Sequence, residues 1–227
     1  MLEKKEALKK FSGGASFVKE LGEEKIQKWS GELLTLLKTT IEKESTQVEE
    51  YVNHLRELNK DIDQESLSKK IISRRSLKAG GVGAVCGLGG LITLPVTMPS
   101  DMYLTFRIQA RMVLSIAYIY GWNIHEEEIS TDILLVMGGN AGITALKSLG
   151  IKTGQEFAKK AVQKHITREV MKKINKVVSR KIITKAGEKS AVSFAKMVPV
   201  VGAPIGASFD FFGTKAVGRT ALKFYKG

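Results

Sequence analysis

The stretch Ala79–Ser100 reads AGGVGAVCGLGGLITLPVTMPS, 22 residues without one charged side chain. Few features constrain a fold more. About 20 apolar residues can cross a bilayer as a helix, but six glycines fall between Gly80 and Gly90. Each glycine costs a helix in water roughly 1 kcal/mol relative to alanine. In a membrane, small residues instead let two helices approach closely, and Gly83 and Gly87 stand in GxxxG spacing. Pro95 and Pro99 end any helix here, so a spanning piece would be short. The segment reads as a tightly packed helix, buried in protein or facing lipid.

The flanks are helical in pattern. Ile26, Trp29, Leu33, Leu36, Leu37 and Ile41, then Val48, Tyr51, Val52, Leu55 and Leu58, recur at helical spacing, with Glu and Lys on the other faces. Asp61-Ile-Asp-Gln-Glu-Ser66 looks like a break, and a further helix runs to about Lys78. Ser100 can cap the next helix with Asp101 in its first turn; Gly121 suits its end. That helix, about Asp101 to Tyr120, is apolar nearly all round, which places it in a core or in lipid. His125-Glu-Glu-Glu128 reads as another helix start. Ile133–Leu146 is uncharged and holds a second GxxxG, Gly138 and Gly142. Helical segments follow from about Thr153 to Thr184, with Gly187 as an interruption. A last helix, beginning near Pro204 and running to about Phe224, carries Gly202 and Gly206 as the third GxxxG. No strand alternation persists, so the chain is expected to be all-α: a compact multi-helix bundle with glycine-rich, closely packed core helices and an N-terminal amphipathic helical extension.

Charge divides the chain. The formal net charge is +13. Residues 1–75 hold 15 Lys/Arg and 14 Asp/Glu, whereas residues 76–227 hold 21 and 9. Within Lys147–Lys196 there are 14 basic residues and only Glu156, Glu169 and Glu188 as acids. A block of this kind favours an anionic partner, unless it is simply a solvated helix face. It lacks interleaved aromatics and any reader motif, so nucleic acid is not the expected partner. A mean hydropathy of −0.05 argues against many membrane spans. Cys86 is the only cysteine, which suits a reducing compartment. The polar N-terminal decapeptide lacks a signal's apolar core. A cytoplasmic location at the inner face of the membrane is therefore expected.

Pro99-Ser-Asp101 opens a helix carrying Arg107 and Arg111, which runs into Ile116-Ala-Tyr-Ile-Tyr-Gly-Trp-Asn123. Val198-Pro-Val-Val-Gly-Ala-Pro-Ile-Gly206 and Gly218-Arg-Thr-Ala221 follow. Together these resemble the EcsC family of bacterial proteins, named after a protein encoded beside an ABC transporter. The resemblance covers about Ser76 to Phe224 and leaves the N-terminal 75 residues outside, dividing the chain into 1–75 and 76–227. It implies a helical, membrane-associated or lipid-interacting domain and brings no catalytic residues.

Among single residues, Asp101, Arg107, Arg111 and Asp210 are the candidates for a head-group or ion-pair site. Arg107 and Arg111 share a helix face and suit phosphate oxygens; alternatively they pair with Asp132 or Asp210. His125, His54 and His165 have no metal-ligand spacing. No nucleophile elbow, phosphate loop or dinucleotide fingerprint occurs. The expectation is therefore a non-enzyme without metal or cofactor. Trp29, Trp122, Tyr118 and Tyr120 suit either a membrane interface or a core. The leading functional reading is a lipid-interacting protein, peripheral or inserting on demand, able to form homo-oligomers through its glycine faces and to perturb membranes. The other is a soluble module for an acyl chain or for a protein partner held by the N-terminal helices.

Overall fold

A computed structural model describes residues 22–87, 98–126, 129–140, 142, 144, 168–194 and 199–226. They form six helices: α1 Glu23–Glu57, α2 Gln64–Gly87, α3 Ser100–Ile119, α4 Ile129–Gly138, α5 Arg168–Phe194 and α6 Pro199–Lys226. No strand occurs among the described residues, so the chain is an all-α bundle, as its periodicity predicts.

The two apolar patterns of residues 26–58 belong to one unbroken 35-residue helix, α1. Its stripe is buried: Leu33, Leu37, Val48 and Val52 are at most 1% exposed. Each such side chain contributes roughly 2 kcal/mol by leaving water. The break expected at Asp61–Ser66 is a turn. Asn59 receives Lys70 Nζ on its Oδ1 at 2.7 Å while its own Nδ2 donates to Leu55 O. Asp63 then caps α2, its Oδ1 accepting from Ser66 N–H at 2.9 Å.

α3 is the central helix. It packs against α1, α2, α4 and α6, and Met112, Val113, Leu114, Ile116 and Ala117 are fully buried. Its all-round apolar surface is thus answered by protein. Pro99 occupies the cap position and Ser100 is the first helical residue. At the other end Gly121 adopts φ +78°; Gly121 N–H donates to Tyr118 O and Trp122 N–H to Ala117 O, both at 3.0 Å. This pair of bonds is a Schellman closure, which needs the left-handed residue that glycine supplies. Arg56 and Gln64 both donate to Ile119 O, at 3.1 and 3.0 Å, so the α1–α2 turn caps the C-terminus of α3.

α2 and α6 form the most extensive helix pair, and they run antiparallel. Gly80 faces Ala207 and Phe211, Ile72 faces Gly218, and Glu65 meets Lys226 at 2.6 Å. α2 runs unbroken through residues 75 and 76, and side chains of all six helices join one hydrophobic core. The N-terminal segment is therefore continuous with the rest.

Three expected boundaries move. α4 begins at Ile129, with His125 and Glu126 in the turn before it. α6 begins at Pro199, five residues before Pro204, since proline at a first helical position needs no N–H partner. α5 continues through Gly187 to Phe194. Residues 153–167 lie outside the described residues.

Candidate functional site

Arg107 and Arg111 project from one face of α3, as their spacing requires. They meet Glu44 of α1. Arg107 Nε donates to Glu44 Oε1 at 2.9 Å, and its Nη2 closes on the same oxygen. Arg111 Nε stands 3.1 Å from Glu44 Oε2. The Glu44 side chain is 10% exposed, that of Arg111 23% and that of Arg107 46%. A third guanidinium, Arg75 of α2, lies over the Tyr51 ring at 5.0 Å. Burial pushes its pKa down, while Tyr51 and Glu44 act against that and Arg111 reinforces it. Arg107 and Arg111 thus converge on one carboxylate, and Arg75 lies near enough for its charge to feel both Glu44 and Arg111.

The carboxylate was missed by the sequence reading, although its signal was present. Glu44 falls in the apolar stripe of α1, between Ile41 and Val48, where an acid must find a partner. Arg75 gave no comparable signal. Asp132 is 1% exposed, and its charge reinforces the effect of burial in raising the Tyr225 pKa well above its ordinary value of 10.0. Asp210 is half-buried in α6, and Asp101 lies in the first turn of α3.

Beside Glu44 a groove of about 350 Å³ opens between α1 and α3. Thr39, Lys43, Glu44 and Gln47 line it from α1, and Tyr103 and Arg107 from α3. Lys43 is exposed.

The glycines divide. A Cβ on Gly138 would stand 2.9 Å from Val178 Cγ1 of α5, and one on Gly142 would stand 2.6 Å from Leu135 O. Both are close-packing positions, but they do not share one helix face: Gly139 between them turns the chain at φ +51°. Gly83 is buried in α2. Gly87, Gly202 and Gly206 are helical, and their packing lies outside the described residues. Among the described residues, Gly80 and Gly218 stand in tight α2–α6 contacts.

The aromatic residues also sort. Trp29, Tyr118, Tyr120 and Trp122 pack against the core; Trp122 meets Tyr225 edge-on at 5.5 Å. The exposed aromatics are Phe209 (44%) and Phe212 (64%) of α6, and the exposed aliphatics of α2 are Leu77 (64%) and Val85 (51%). Arg74 and Lys78 of α2 and Arg219 and Lys223 of α6 are exposed as well. From Ser66 to Gly87 there is no acid, and α6 holds only Asp210. The antiparallel register sets Leu77 level with Phe212. On α5, Lys172, Lys173 and Lys176 are exposed, while Arg180 is paired with Glu23, Nη2 to Oε2 at 2.7 Å. Residues 147–167 and Lys196 of the basic block lie outside the described residues.

Among the described residues no helix is long and apolar enough to cross a membrane, and no group of three or more metal-ligating side chains occurs. His125 Nε2 lies 2.9 Å from Glu49 Oε1 in an exposed pair.

Residues 14–227 match the family model described as the EcsC protein family. The match reaches well before Ser76, so the N-terminal helices fall inside it. No curated protein and no solved structure matches the chain.

Proposed function

The chain belongs to the EcsC protein family, and from that premise we propose that it is a peripheral protein of anionic membrane surfaces, held there by electrostatics and by shallow burial of exposed apolar side chains. One observation carries this reading: apolar and basic side chains are exposed together on the paired helices α2 and α6. Leu77, Val85, Phe209 and Phe212 are exposed there with Arg74, Lys78, Arg219 and Lys223. An unpaired Lys or Arg near an anionic leaflet contributes roughly 1 kcal/mol. A large apolar side chain that leaves water contributes about 1.5–3 kcal/mol. Neither term alone gives firm attachment; together they do. The exposed lysines of α5 add to the same field.

Vesicle flotation tests the proposal. The protein should rise with phosphatidylcholine vesicles containing phosphatidylglycerol and stay down with phosphatidylcholine alone, and salt should weaken the association. Phe209→Ser with Phe212→Ser should reduce it about tenfold or more at fixed salt. Failure to float with either vesicle would sink the reading.

A further inference from the structure

The cluster at Glu44 has more donors than acceptors. Arg75, Arg107 and Arg111 each carry five N–H donors, and a carboxylate offers about four lone-pair sites. The structure shows the shortfall. Arg75 Nε is buried with no hydrogen-bond partner. Arg111 Nε and Glu44 Oε2 are buried 3.1 Å apart without hydrogen-bond geometry. Lys43 and Arg107 both line the groove beside Glu44, so cations outnumber the one carboxylate there. Concentrated positive charge that is partly removed from water is costly unless an anion joins it.

The arrangement is also asymmetric. Arg111, the less exposed of Glu44's two partners, holds it from the inner side, and the Arg75 guanidinium lies nearby over Tyr51. Arg107 is nearly half-exposed and borders the groove, where Lys43, Thr39, Gln47 and Tyr103 add donors. If Arg107 turns from Glu44 into the groove, Glu44 keeps Arg111 as its counter-charge. A carboxylate ligand would satisfy the charge, but the combination of guanidinium, ammonium, hydroxyl and amide donors around one space matches the several oxygens of a phosphate better. The volume is at the lower end for small-molecule sites. It suits a phosphate with a small polar body, not an acyl chain.

We propose that the α1–α3 groove is a phosphate-ester site, in which Arg107 and Lys43 grip the phosphate and Glu44 is the internal competitor that holds Arg107 when the site is empty. This does not rest on the membrane reading, since neither Phe209 nor Phe212 lines the groove. The phosphate can come from a lipid head group or from a free ester.

Calorimetric titration of the full chain with inorganic phosphate and with glycerol phosphate tests the site. Saturable binding is expected, weakened about tenfold by Arg107→Gln and severalfold by Lys43→Gln. Glu44→Gln should tighten it severalfold, because the competing charge is gone; a purely structural ion pair predicts no gain. Lys43→Gln alters an exposed side chain and keeps the test valid should Glu44→Gln fail to fold. Competition by phosphatidylglycerol vesicles would assign the site to a head group, and binding of glycerol phosphate without such competition would assign it to a free ester. Phe209→Ser with Phe212→Ser should leave glycerol phosphate binding unchanged, so failure of the site and failure of the membrane reading are separable. Absence of saturable binding, or equal binding by the wild type, Arg107→Gln and Lys43→Gln, would mean an adventitious ion only and would overturn the proposal.

Discussion

Ile72 and Gly218 set the spacing of α2 and α6: a Cβ at position 218 would stand 2.7 Å from Ile72 Cγ1 and 2.9 Å from its Cγ2. The neighbouring Met112 sulfur would be 3.1 Å away, so the methyl group would press on two fully packed side chains. At Gly213 of the same helix nothing lies within 4 Å.

Gly218→Ala should therefore destabilise the protein by about 1–3 kcal/mol through overpacking, even though alanine is the better helix former. Gly213→Ala should stabilise it by about 0.5–1 kcal/mol. Ile72→Val should recover part of the loss in the double variant. Urea unfolding of the four proteins checks the set; equal behaviour of the two glycine positions would refute the contact.

Glu44→Ala leaves Arg107 and Arg111 without their shared carboxylate. The buried pair predicts a loss of about 3–5 kcal/mol. Arg107→Gln should cost only about 1 kcal/mol, because Arg107 is nearly half in solvent and Arg111 remains to hold Glu44. Chemical denaturation would expose an error here if the two losses came out alike.

Two donors share the Ile119 carbonyl, Arg56 Nη2 and Gln64 Nε2. Either alone satisfies it. Arg56→Ala and Gln64→Ala should each cost under about 1 kcal/mol, and the double variant about 2 kcal/mol, more than the sum, because only then is a helix-end acceptor left unsatisfied. Strict additivity in a double-mutant cycle would show that the donors act independently.

Two carboxylates at the start of α2 titrate low. The Ser66 hydroxyl, then its backbone N–H, holds Asp63 below its ordinary 3.8. Hydrogen bonds from Lys226 and then Lys69 hold Glu65 below 4.5. A depressed folded-state pKa means that the unfolded chain binds protons first. The stability these contacts give is therefore present above about pH 4.5 and is lost as pH falls through the lower folded values. Carbon-detected NMR titration should find both carboxyls below their ordinary values, with Lys226→Ala raising Glu65 much more than Asp63.

Much of the fold was legible in local pattern. The stripe of α1, the break before α2, the extent of α3 and its closure at Gly121 follow from interactions within about four residues along the chain. Apolar spacing, capping side chains and a glycine able to adopt positive φ announce themselves in any short window. The pairing of Arg107 with Arg111 on one face was legible for the same reason. Helix starts near Pro204 and His125 were misplaced because proline and acidic residues mark a first turn only loosely.

The residues alone determined that this chain is helical, basic and equipped with two arginines one turn apart. The tertiary structure decided what those arginines meet, a glutamate 63 positions from Arg107, and that Gly80 and Gly218 stand at the α2–α6 contact. It also decided that the apolar sides of α3 are covered by the neighbouring helices. The physical reason is one of range. Helical periodicity is a short-range property written in neighbouring side chains, whereas the partner of a buried charge depends on how whole helices are packed against each other.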